Sequence, residues 1–541
     1  MPSKLTTQIF LIAMTLIVTG CADQNRTDLS RQSLIFCSDG APDSFNPSMG
    51  TSFTNFNASS RVLFDRLLSI DNDTGQLKPS IALRWVKSDA GLSYTFELRE
   101  DVEFHRTNWF TPTRTLNADD VIFSFERQAD PNHSFHFGDM GTYNYYRSTG
   151  LQDNLVAIDK LNDHQLRFRL AEANDSFLYS LSMDFSSIVS AEYAMSLQAN
   201  NLPLRQFDTL PVGTGPFKLN KYQDNTFIRY YAHPGYYAGK PAMENLIYAI
   251  TPDASTRYAR LVSGECDVML NPPKSQYDLL VSNKEITVLQ NPGLNIGFMA
   301  FNTRKPPLDD LRLRVALTKA INKDRIVDKV YGQLGVLNDS LLPPSMRPYH
   351  NDLLTTHAYD PEAARAQLQE LGITNLTLDL WSLPVQRSYN PNGMLMAELI
   401  QEDLRQVGVN VTIVSYEWSA HLERVKAGEH DIALLGWVAD NYNPSDFIRS
   451  LISCAGITAR TNRTFWCSEE LDALLNEADS SQDLTDRIAL YNEIQSIIAA
   501  QLPLLPVASG EAILVARKSI QNIEIQALGG VSFTKVTKGA L

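Results

Sequence analysis

The 541-residue sequence lacks an apolar run long enough to cross a membrane. A bilayer core of about 30 Å requires roughly twenty apolar residues in one helix. The apolar run at 9–18 is too short for this, and no later stretch is both long and apolar enough. We therefore expect no membrane-spanning helix.

Positive charge is also scarce, with 47 Lys and Arg residues against 61 Asp and Glu residues and a formal net charge of −14. A surface that acidic repels phosphate backbones, so nucleic acid is not expected as a partner. Cationic or zwitterionic solutes are compatible with it.

Catalytic signatures are missing as well. The sequence contains no HExxH, GxSxG or P-loop motif, and none of its five cysteines forms a CxxC pair. We considered a hydrolase as the main rival class and found no residue pattern that supports it. We therefore predict no catalytic residue, no metal site and no cofactor.

The N-terminus has the features of an export signal. Lys4 precedes the apolar run, and small residues follow it. The segment Val18-Thr19-Gly20-Cys21 is similar to a bacterial lipobox, in which the cysteine is diacylated; ordinary signal cleavage nearby is the alternative. We predict a signal peptide over 1–20, lipidation of Cys21, and a polar tether over 21–32. The protein is then periplasmic and meets the membrane only through its lipid.

The other four cysteines predict two disulfides, because the count is even in an exported chain. Three pairings are possible. Cys454 and Cys467 lie close together in a loop-like stretch, which favours a local bridge and leaves Cys37 with Cys266.

A chain of this length is expected to form two or more lobes. Short β-type runs alternate with helical ones, which predicts an α/β fold. We predict strands at 94–98 and 227–232, a helix at 117–127, a turn leading into a strand at 211–219, and a long amphipathic helical region at 309–330.

The segment 376–446 is the most informative. Strands are predicted at 376–381, 409–414 and 432–437, separated by helices at 394–406 and 420–426. This order implies right-handed crossovers and a parallel sheet. Ligands bind beyond the carboxyl ends of such strands.

Four side chains follow those strand ends: Arg387, Tyr389, Trp418 and Asp440. A carboxylate binds an α-ammonium group, a guanidinium binds an α-carboxylate, and the aromatic rings supply apolar walls. The set suits a free peptide or amino acid. The alternative is that Arg387 and Asp440 are solvated surface charges and that Trp418 belongs to the core.

Five blocks in order resemble the family 5 solute-binding proteins of ABC importers. They are YTFELREDVEFH at 94–105, LNADDVIFSFER at 116–127, VGTGPFKL at 212–219, GECDVM at 264–269, and FNTRKPPLDDLRLRVALTKAINKDRI at 301–326. The chain is most similar to the Sap-type and dipeptide-type members. TNRTFWC around Cys467 is similar to the Sap type, and VQRSYNPN at 385–392 and YEW at 416–418 are similar to the dipeptide type.

The resemblance implies a two-lobed, type II periplasmic-binding-protein-like fold with an extra subdomain. Lobe I would comprise 33–291 and 510–541, with the subdomain inserted near 65–213, and lobe II would comprise 292–509. The family's two disulfides match Cys37–Cys266 and Cys454–Cys467.

The resemblance also implies roles for site residues. Arg387 would bind the peptide C-terminus and Asp440 the N-terminus. Tyr389 and Trp418 match the family's aromatic contacts. In the N-terminal contact loop, FNPSMGTSF, Thr51 and Ser52 would supply backbone and hydroxyl contacts, whereas Phe53 stands where dipeptide binders often carry glycine.

The resemblance therefore implies a monomeric, extracytoplasmic component that captures short peptides and delivers them to an inner-membrane permease driven by ATPase subunits. The alternatives within the fold are cationic antimicrobial peptides, haem or nickel. A third class is an envelope chaperone or scaffold without a specific small ligand. Charge reversal at Arg387 or Asp440 distinguishes these classes, because it abolishes only peptide capture.

Overall fold

The computed structural model describes residues 32–42, 44–49, 53–72, 74–136, 143–174, 176–272, 274–354, 356–384, 386–416, 418–439, 441–458, 460–481, 483–526 and 529–539. The side chains of a few residues within helices, including Trp418, are not described. The predicted export signal, the Cys21 lipidation site and nearly all of the tether lie outside these ranges. So do Thr51, Ser52 and Asp440.

A mixed sheet of twelve strands forms the centre of the molecule. Its strand order is β16-β15-β17-β13-β18-β11-β1-β10-β9-β8, and β12 and β14 also pair with β18. A separate antiparallel sheet has the order β4-β5-β7-β6. The strands are β1 Ser33–Ser38, β2 Leu68–Ile70, β3 Leu77–Pro79, β4 Ala82–Lys87, β5 Ser93–Leu98, β6 Leu155–Asn162, β7 Gln165–Leu170, β8 Phe217–Gln223, β9 Phe227–Ala232, β10 Asn245–Ile250, β11 Val268–Leu270, β12 Ile286–Pro292, β13 Asn295–Phe301, β14 Gly335–Leu337, β15 Leu376–Trp381, β16 Val409–Val414, β17 Ile432–Val438, β18 Leu504–Arg517, β19 Ile520–Gln521, β20 Glu524–Ile525, β21 Val531–Ser532 and β22 Thr537–Lys538.

Helices cover the sheets and connect the strands. The α-helices are α1 Phe53–Ala58, α2 Ser60–Leu63, α3 Ala118–Ala129, α4 Asn144–Ser148, α5 Leu151–Asn154, α6 Ser176–Ser180, α7 Ala191–Ala199, α8 Gln206–Thr209, α9 Ala254–Ser263, α10 Lys274–Ser282, α11 Leu311–Ala320, α12 Lys323–Ile326, α13 Pro361–Glu370, α14 Gly393–Gln406, α15 Trp418–Ala427, α16 Pro444–Ile452, α17 Cys454–Thr458, α18 Glu469–Ser480 and α19 Leu484–Gln501. The 3₁₀ turns are Asp184–Ser186 and Gly332–Leu334, and Val327–Tyr331 is a π-helical turn.

The predicted strand-helix-strand-helix-strand unit is confirmed. Strand β15 pairs in parallel with β16 along its whole length, from Leu376 opposite Val409 to Trp381 opposite Val414. It pairs in parallel with β17 only where Leu380 and Trp381 meet the first residues of β17. Strand β17 therefore extends well beyond β15, and Tyr389 in the loop that follows β15 packs on Gly436 in this extension.

The helical region predicted at 309–330 is interrupted. Helix α11 ends before Ile321, whose backbone is extended. The side chain of Asn322 then begins α12 by accepting the backbone N–H of Arg325 at 2.9 Å. The backbone N–H of Asn322 donates to the Asp403 carboxylate at 3.0 Å. Asn322 thus begins a new helix and is anchored to another element, so the first helix does not continue through it.

The buried apolar residues form separate cores. One core contains residues between 34 and 268 and residues 514–536, and it includes the inner face of the four-stranded sheet. Two others lie on opposite faces of β13, β15 and β17 and contain residues between 294 and 508. Strand β13 is buried along its whole length because its side chains alternate between these last two cores. We call the first core A and the last two together core B.

The long strand β18 connects core A with core B. Its first half pairs with β13 and β14, and its second half pairs with β11 and β12. At the crossing, the buried side chain of Asn295 donates to the carbonyl of Gly510 at 2.9 Å and accepts the N–H of the same residue at 2.8 Å. The N–H of Gly293 also donates to the Gly510 carbonyl at 3.1 Å. These bonds join the two places where the chain passes between the cores, the β12–β13 connection and the middle of β18.

Candidate functional site

Arg387 lies on a tight turn after β15. The backbone N–H of Arg387 donates to the carbonyl of Asn390 at 3.0 Å, and the N–H of Asn390 donates back to the carbonyl of Arg387 at 3.1 Å. The Asn390 side chain is buried and accepts the N–H of Asn392 at 3.2 Å. Asn392 caps α14 by accepting the N–H of Leu395 at 3.1 Å. The Asn-Pro-Asn sequence thus fixes the turn between a strand and a helix.

The turn lies directly on the central sheet because three strand residues are glycines. Gly297 and Gly436 are opposite each other in β13 and β17. A Cβ atom on Gly436 would overlap the ring of Tyr389, and a Cβ atom on Gly297 would overlap its carbonyl oxygen. A Cβ atom on Gly510 would overlap the carbonyl oxygen of Ser388. The 387–390 turn therefore packs directly on the backbone of three adjacent strands, in the space that a side chain would fill.

The aromatic member of the turn, Tyr389, is largely buried, whereas Arg387 is exposed. The hydroxyl of Tyr331 donates to the Tyr389 carbonyl at 2.5 Å. Burial raises the pKa of Tyr389, and the nearby Arg387 guanidinium opposes that shift. A guanidinium of Arg387 also donates to the carbonyl of Gln386 at 3.1 Å. The structure thus brings Arg387 and Tyr389 together.

The end of β17 reaches the same part of the molecule. The N–H of Ala439 donates to the carbonyl of Leu294 at 2.8 Å, next to the crossing at Asn295 and Gly510. Asp440 follows Ala439 but lies outside the described residues, as do Thr51 and Ser52. Trp418 begins α15 after β16, and its side chain is not described. The joint site of these residues stays a prediction.

Tyr416, which precedes Trp418, has structural contacts on both sides. Its ring centroid lies 5.0 Å from that of the buried Trp381. The guanidinium carbon of Arg424 lies 4.4 Å from the centre of the Tyr416 ring, and Arg424 donates to the Tyr416 hydroxyl at 2.9 Å. These contacts fix the start of the segment that carries Trp418.

Polar side chains of the segment after residue 440 reach the part of the chain around core A. The Nδ2 amide of Asn443 donates to the hydroxyl of Ser176 at 2.5 Å. The Nδ2 amide of Asn441 lies 3.7 Å from the sulfur of Met183. Asn441 and Asn443 are both buried. The two cores are therefore in contact here as well as at the strand crossings.

Tyr442 makes the third contact of this segment. Its ring packs on Gly75, in the turn between β2 and β3, where a Cβ atom would overlap the ring. Gly75 has a φ of 68°, so the turn itself requires glycine. The other side of Tyr442 packs against core B. Burial raises the pKa of its hydroxyl to about 12.

Sequence reasoning missed the contacts of 441–443. In this segment the sequence predicts a role only for Asp440. Asparagine, serine and glycine are common in loops, and no spacing rule connects Asn443 with Ser176. Only the glycine at 75 gives a signal, and it is equally typical of any tight turn.

Both disulfides are present in the structure: Cys37 is bonded to Cys266, and Cys454 to Cys467. Among the described ranges, no three His, Cys, Asp or Glu side chains are placed to hold a metal ion. Within those same ranges no helix combines the length and the apolar composition that a bilayer crossing requires.

Comparisons with known proteins agree with this architecture. The model of the bacterial extracellular solute-binding proteins, family 5, matches residues 76–459. The dipeptide-binding protein of Escherichia coli K12 is 40% identical over 507 residues, which cover 94% of each chain. The probable ABC transporter periplasmic-binding protein SapA of the same organism is 38% identical over 509 residues, covering 94% of this chain and 93% of that protein.

A solved structure extends the similarity to the fold. The dipeptide-binding protein of Pseudoalteromonas sp. SM9913, in complex with Met-Leu, is 39% identical, with a TM-score of 0.81 over 94% of this chain and all of that one. The chain belongs to family 5 of the bacterial extracellular solute-binding proteins. It has the two-lobed type II periplasmic-binding-protein fold that the family resemblance implies, a mixed α/β architecture with an additional subdomain.

Proposed function

We propose that this chain is the extracytoplasmic solute-binding component of an ABC transporter and captures dipeptides or short oligopeptides through their free termini. The observation that carries the proposal is the Arg387 turn. It holds an exposed guanidinium next to Tyr389, at the strand crossing between the two cores. A 39% identical structure contains Met-Leu. A guanidinium on a fixed backbone turn is well suited to a carboxylate, because it offers two parallel donors.

We assign core A to the proposed lobe I and core B to the proposed lobe II. Lobe I would comprise 33–291 and 510–541, with the subdomain inserted near 65–213, and lobe II would comprise 292–509. The proposed boundaries fall where β12 leads into β13 and where β18 passes Gly510. Closure of the lobes about these crossings would enclose the ligand.

Each site residue has a proposed role. Arg387 binds the C-terminal carboxylate, and Asp440 binds the N-terminal ammonium group. Tyr389 and Trp418 form apolar walls, and Thr51 and Ser52 contact the peptide backbone from lobe I. Burial of both charged ends on closure strengthens their ion pairs relative to exposed ones.

The N-terminal sequence supports the proposed location. The export signal at 1–20 directs the chain to the periplasm, and lipidation of Cys21 holds it to a membrane through the 21–32 tether. The liganded monomer then delivers its peptide to an inner-membrane permease with ATPase subunits. The relatives named for ABC transport and dipeptide binding support this assignment.

Native mass spectrometry of the protein purified from the periplasm tests the ligand class. The protein is denatured after the first measurement, and the released molecules are identified. Co-purified dipeptides or tripeptides support the proposal. Released haem or nickel, or an empty site that ignores a peptide library in a thermal-shift assay, overturns it.

A further inference from the structure

Three consecutive residues, Asn441, Tyr442 and Asn443, each contact the chain around core A. Their partners lie far apart in sequence: Met183 next to a 3₁₀ turn, Gly75 in the β2–β3 turn, and Ser176 at the start of α6. The segment itself belongs to the connection between β17 and α16, on core B. It therefore joins core B to core A at a point separate from the strand crossings.

The bridging segment has a fixed conformation. The Asn441 side chain accepts the N–H of Asn443 at 2.7 Å. The Oδ1 atom of Asn443 accepts the N–H of Ser445 at 3.0 Å and so caps α16, which begins with Pro444. The same Asn443 side chain thus uses its oxygen within core B and its amide nitrogen to reach Ser176. The bonds that shape the segment lie within it and do not involve the partners in core A.

We propose that Asn441–Tyr442–Asn443 is a latch that holds the closed form of the two lobes. The Tyr442 ring seats on Gly75, and Asn443 donates to Ser176. The latch adjoins residue 440, so it closes the cleft beside the proposed site for the peptide N-terminus. This inference rests on the proposed function for its ligand, but the latch contacts exist without reference to the ligand.

The latch acts on ligand release. Opening of the lobes exposes the apolar face of Tyr442 at Gly75 and breaks the bond between Asn443 and Ser176. The latch therefore raises the free-energy barrier to ligand release but not the barrier to ligand association. Ligand-free protein exchanges between the open and closed forms, and association proceeds through the open form, in which the latch is not made. Loss of the latch should therefore raise the dissociation rate and leave the association rate almost unchanged.

The test compares Tyr442→Ala, Asn443→Ser and Ser176→Ala with the wild type. Serine at 443 still caps α16 but is too short to reach Ser176. Tyr442→Phe is the matched control, because it keeps the ring that packs on Gly75. Stopped-flow measurements give both rate constants for a dipeptide, and small-angle scattering gives the radius of gyration with and without it.

We expect the dissociation rate to rise about tenfold in Tyr442→Ala and about fivefold in Asn443→Ser and in Ser176→Ala, with association rates within about twofold of the wild type. Asn443→Ser combined with Ser176→Ala should add little to either single change. Unchanged dissociation rates, or additive effects at 443 and 176, overturn the latch.

If the wild type binds neither dipeptides nor tripeptides, the proposed function fails and scattering alone decides the latch. A larger radius of gyration for Tyr442→Ala than for Tyr442→Phe in ligand-free protein then supports it. Equal radii overturn it. Far-ultraviolet circular dichroism confirms that each variant is folded.

Discussion

Three glycines leave room for the 387–390 turn at this site because they have no side chain. At Gly297, Gly436 and Gly510 the 387–390 turn occupies the space of the missing Cβ atom. None of the three has a left-handed φ angle, so alanine fits the backbone at each position. An alanine substitution at any of them therefore tests the contact with the 387–390 turn and not the backbone conformation of the glycine.

Gly436→Ala should displace Tyr389 and, with it, the Arg387 turn. The new methyl group overlaps the Tyr389 ring, and overpacking of this kind costs about 1–3 kcal/mol of unfolding free energy. Affinity for a dipeptide should fall about tenfold or more, because Arg387 moves away from its position. Calorimetric titration and urea unfolding measure both effects. Gly40→Ala is the control, since its Cβ would lie an ordinary 3.5 Å from Thr54. Wild-type affinity in Gly436→Ala would show that Tyr389 does not position Arg387.

His430 predicts a specific pH dependence of stability. The side chain is fully buried, and its Nε2 lies 3.0 Å from the carbonyl of Arg463, to which it donates. Burial lowers the pKa of His430 from 6.5 to about 4. The unfolded chain therefore binds a proton between pH 6.5 and pH 4 that the folded protein does not bind, so stability falls as the pH falls through this window.

The His430 contribution is isolated by His430→Gln, whose amide can still donate but does not titrate. Between pH 7 and pH 4 the wild type should lose about 3 kcal/mol more unfolding free energy than the variant, at 1.36 kcal/mol per pKa unit. Urea unfolding at several pH values gives the two curves. Parallel curves would mean that His430 titrates normally in the folded protein.

At the scale of elements, periodicity and caps predicted much of the fold. The strand at 94–98, the helix begun by Asn117 and the three parallel strands at 376–437 all form. Their patterns are local, because a cap or an alternating strand is decided within a few residues. The break at Ile321 was not predicted, because it depends on the distant Asp403 carboxylate, which holds Asn322.

Helix α19 depends on a charged residue from another element. Arg314 of α11 is buried and donates to two carbonyls at the C-terminal end of α19, that of Gln501 at 2.8 Å and that of the C-cap residue Leu502 at 3.0 Å. It also donates to the carbonyls of Leu308 and Asp309. One guanidinium thus satisfies groups at a helix end that have no partner within the helix.

Arg314→Met should therefore lower the unfolding free energy by about 3–5 kcal/mol, because buried carbonyls lose a charged donor. Arg312→Met is the matched control two residues away. Arg312 is exposed and its guanidinium pairs with the half-buried carboxylate of Asp310, so its loss should leave the unfolding free energy almost unchanged. Chemical denaturation measures both. Similar losses for the two variants would contradict the role of Arg314 as the anchor of α19.

At the scale of the whole molecule, the arrangement of the lobes could not be predicted from sequence patterns. The connection of the cores through β18 does not follow from residue patterns, because the Ser509-Gly510-Glu511 interruption of its apolar run is equally typical of a bulge, and the boundary at 509/510 comes only from the family resemblance. The position of Arg387 was predicted from its place after a strand, but the contacts of its turn, Tyr389 with Gly436 and Ser388 with Gly510, join residues from three separate segments. Such contacts leave no local pattern in a single sequence.

The closed arrangement depends on the crossing at Asn295 and Gly510 and on the latch at 441–443. The first is a pair of chain crossings joined by backbone and amide bonds, and it is kept in any rotation of the lobes about it. The second is a set of side-chain contacts that opening must break. In the proposed motion, the pivot at Asn295 and Gly510 and the latch that holds the closed form are therefore different parts of the molecule.

Calorimetric titration with Met-Leu and with its C-terminal amide tests most directly whether Arg387 binds a free carboxylate. The wild type should bind the acid about a hundredfold more tightly, since charge-assisted bonds to a guanidinium contribute about 3 kcal/mol. Arg387→Ala should remove this preference, whereas Arg405→Ala, an exposed arginine of α14, should keep it. Equal binding of acid and amide by the wild type, or a preference that survives in Arg387→Ala, would contradict the account.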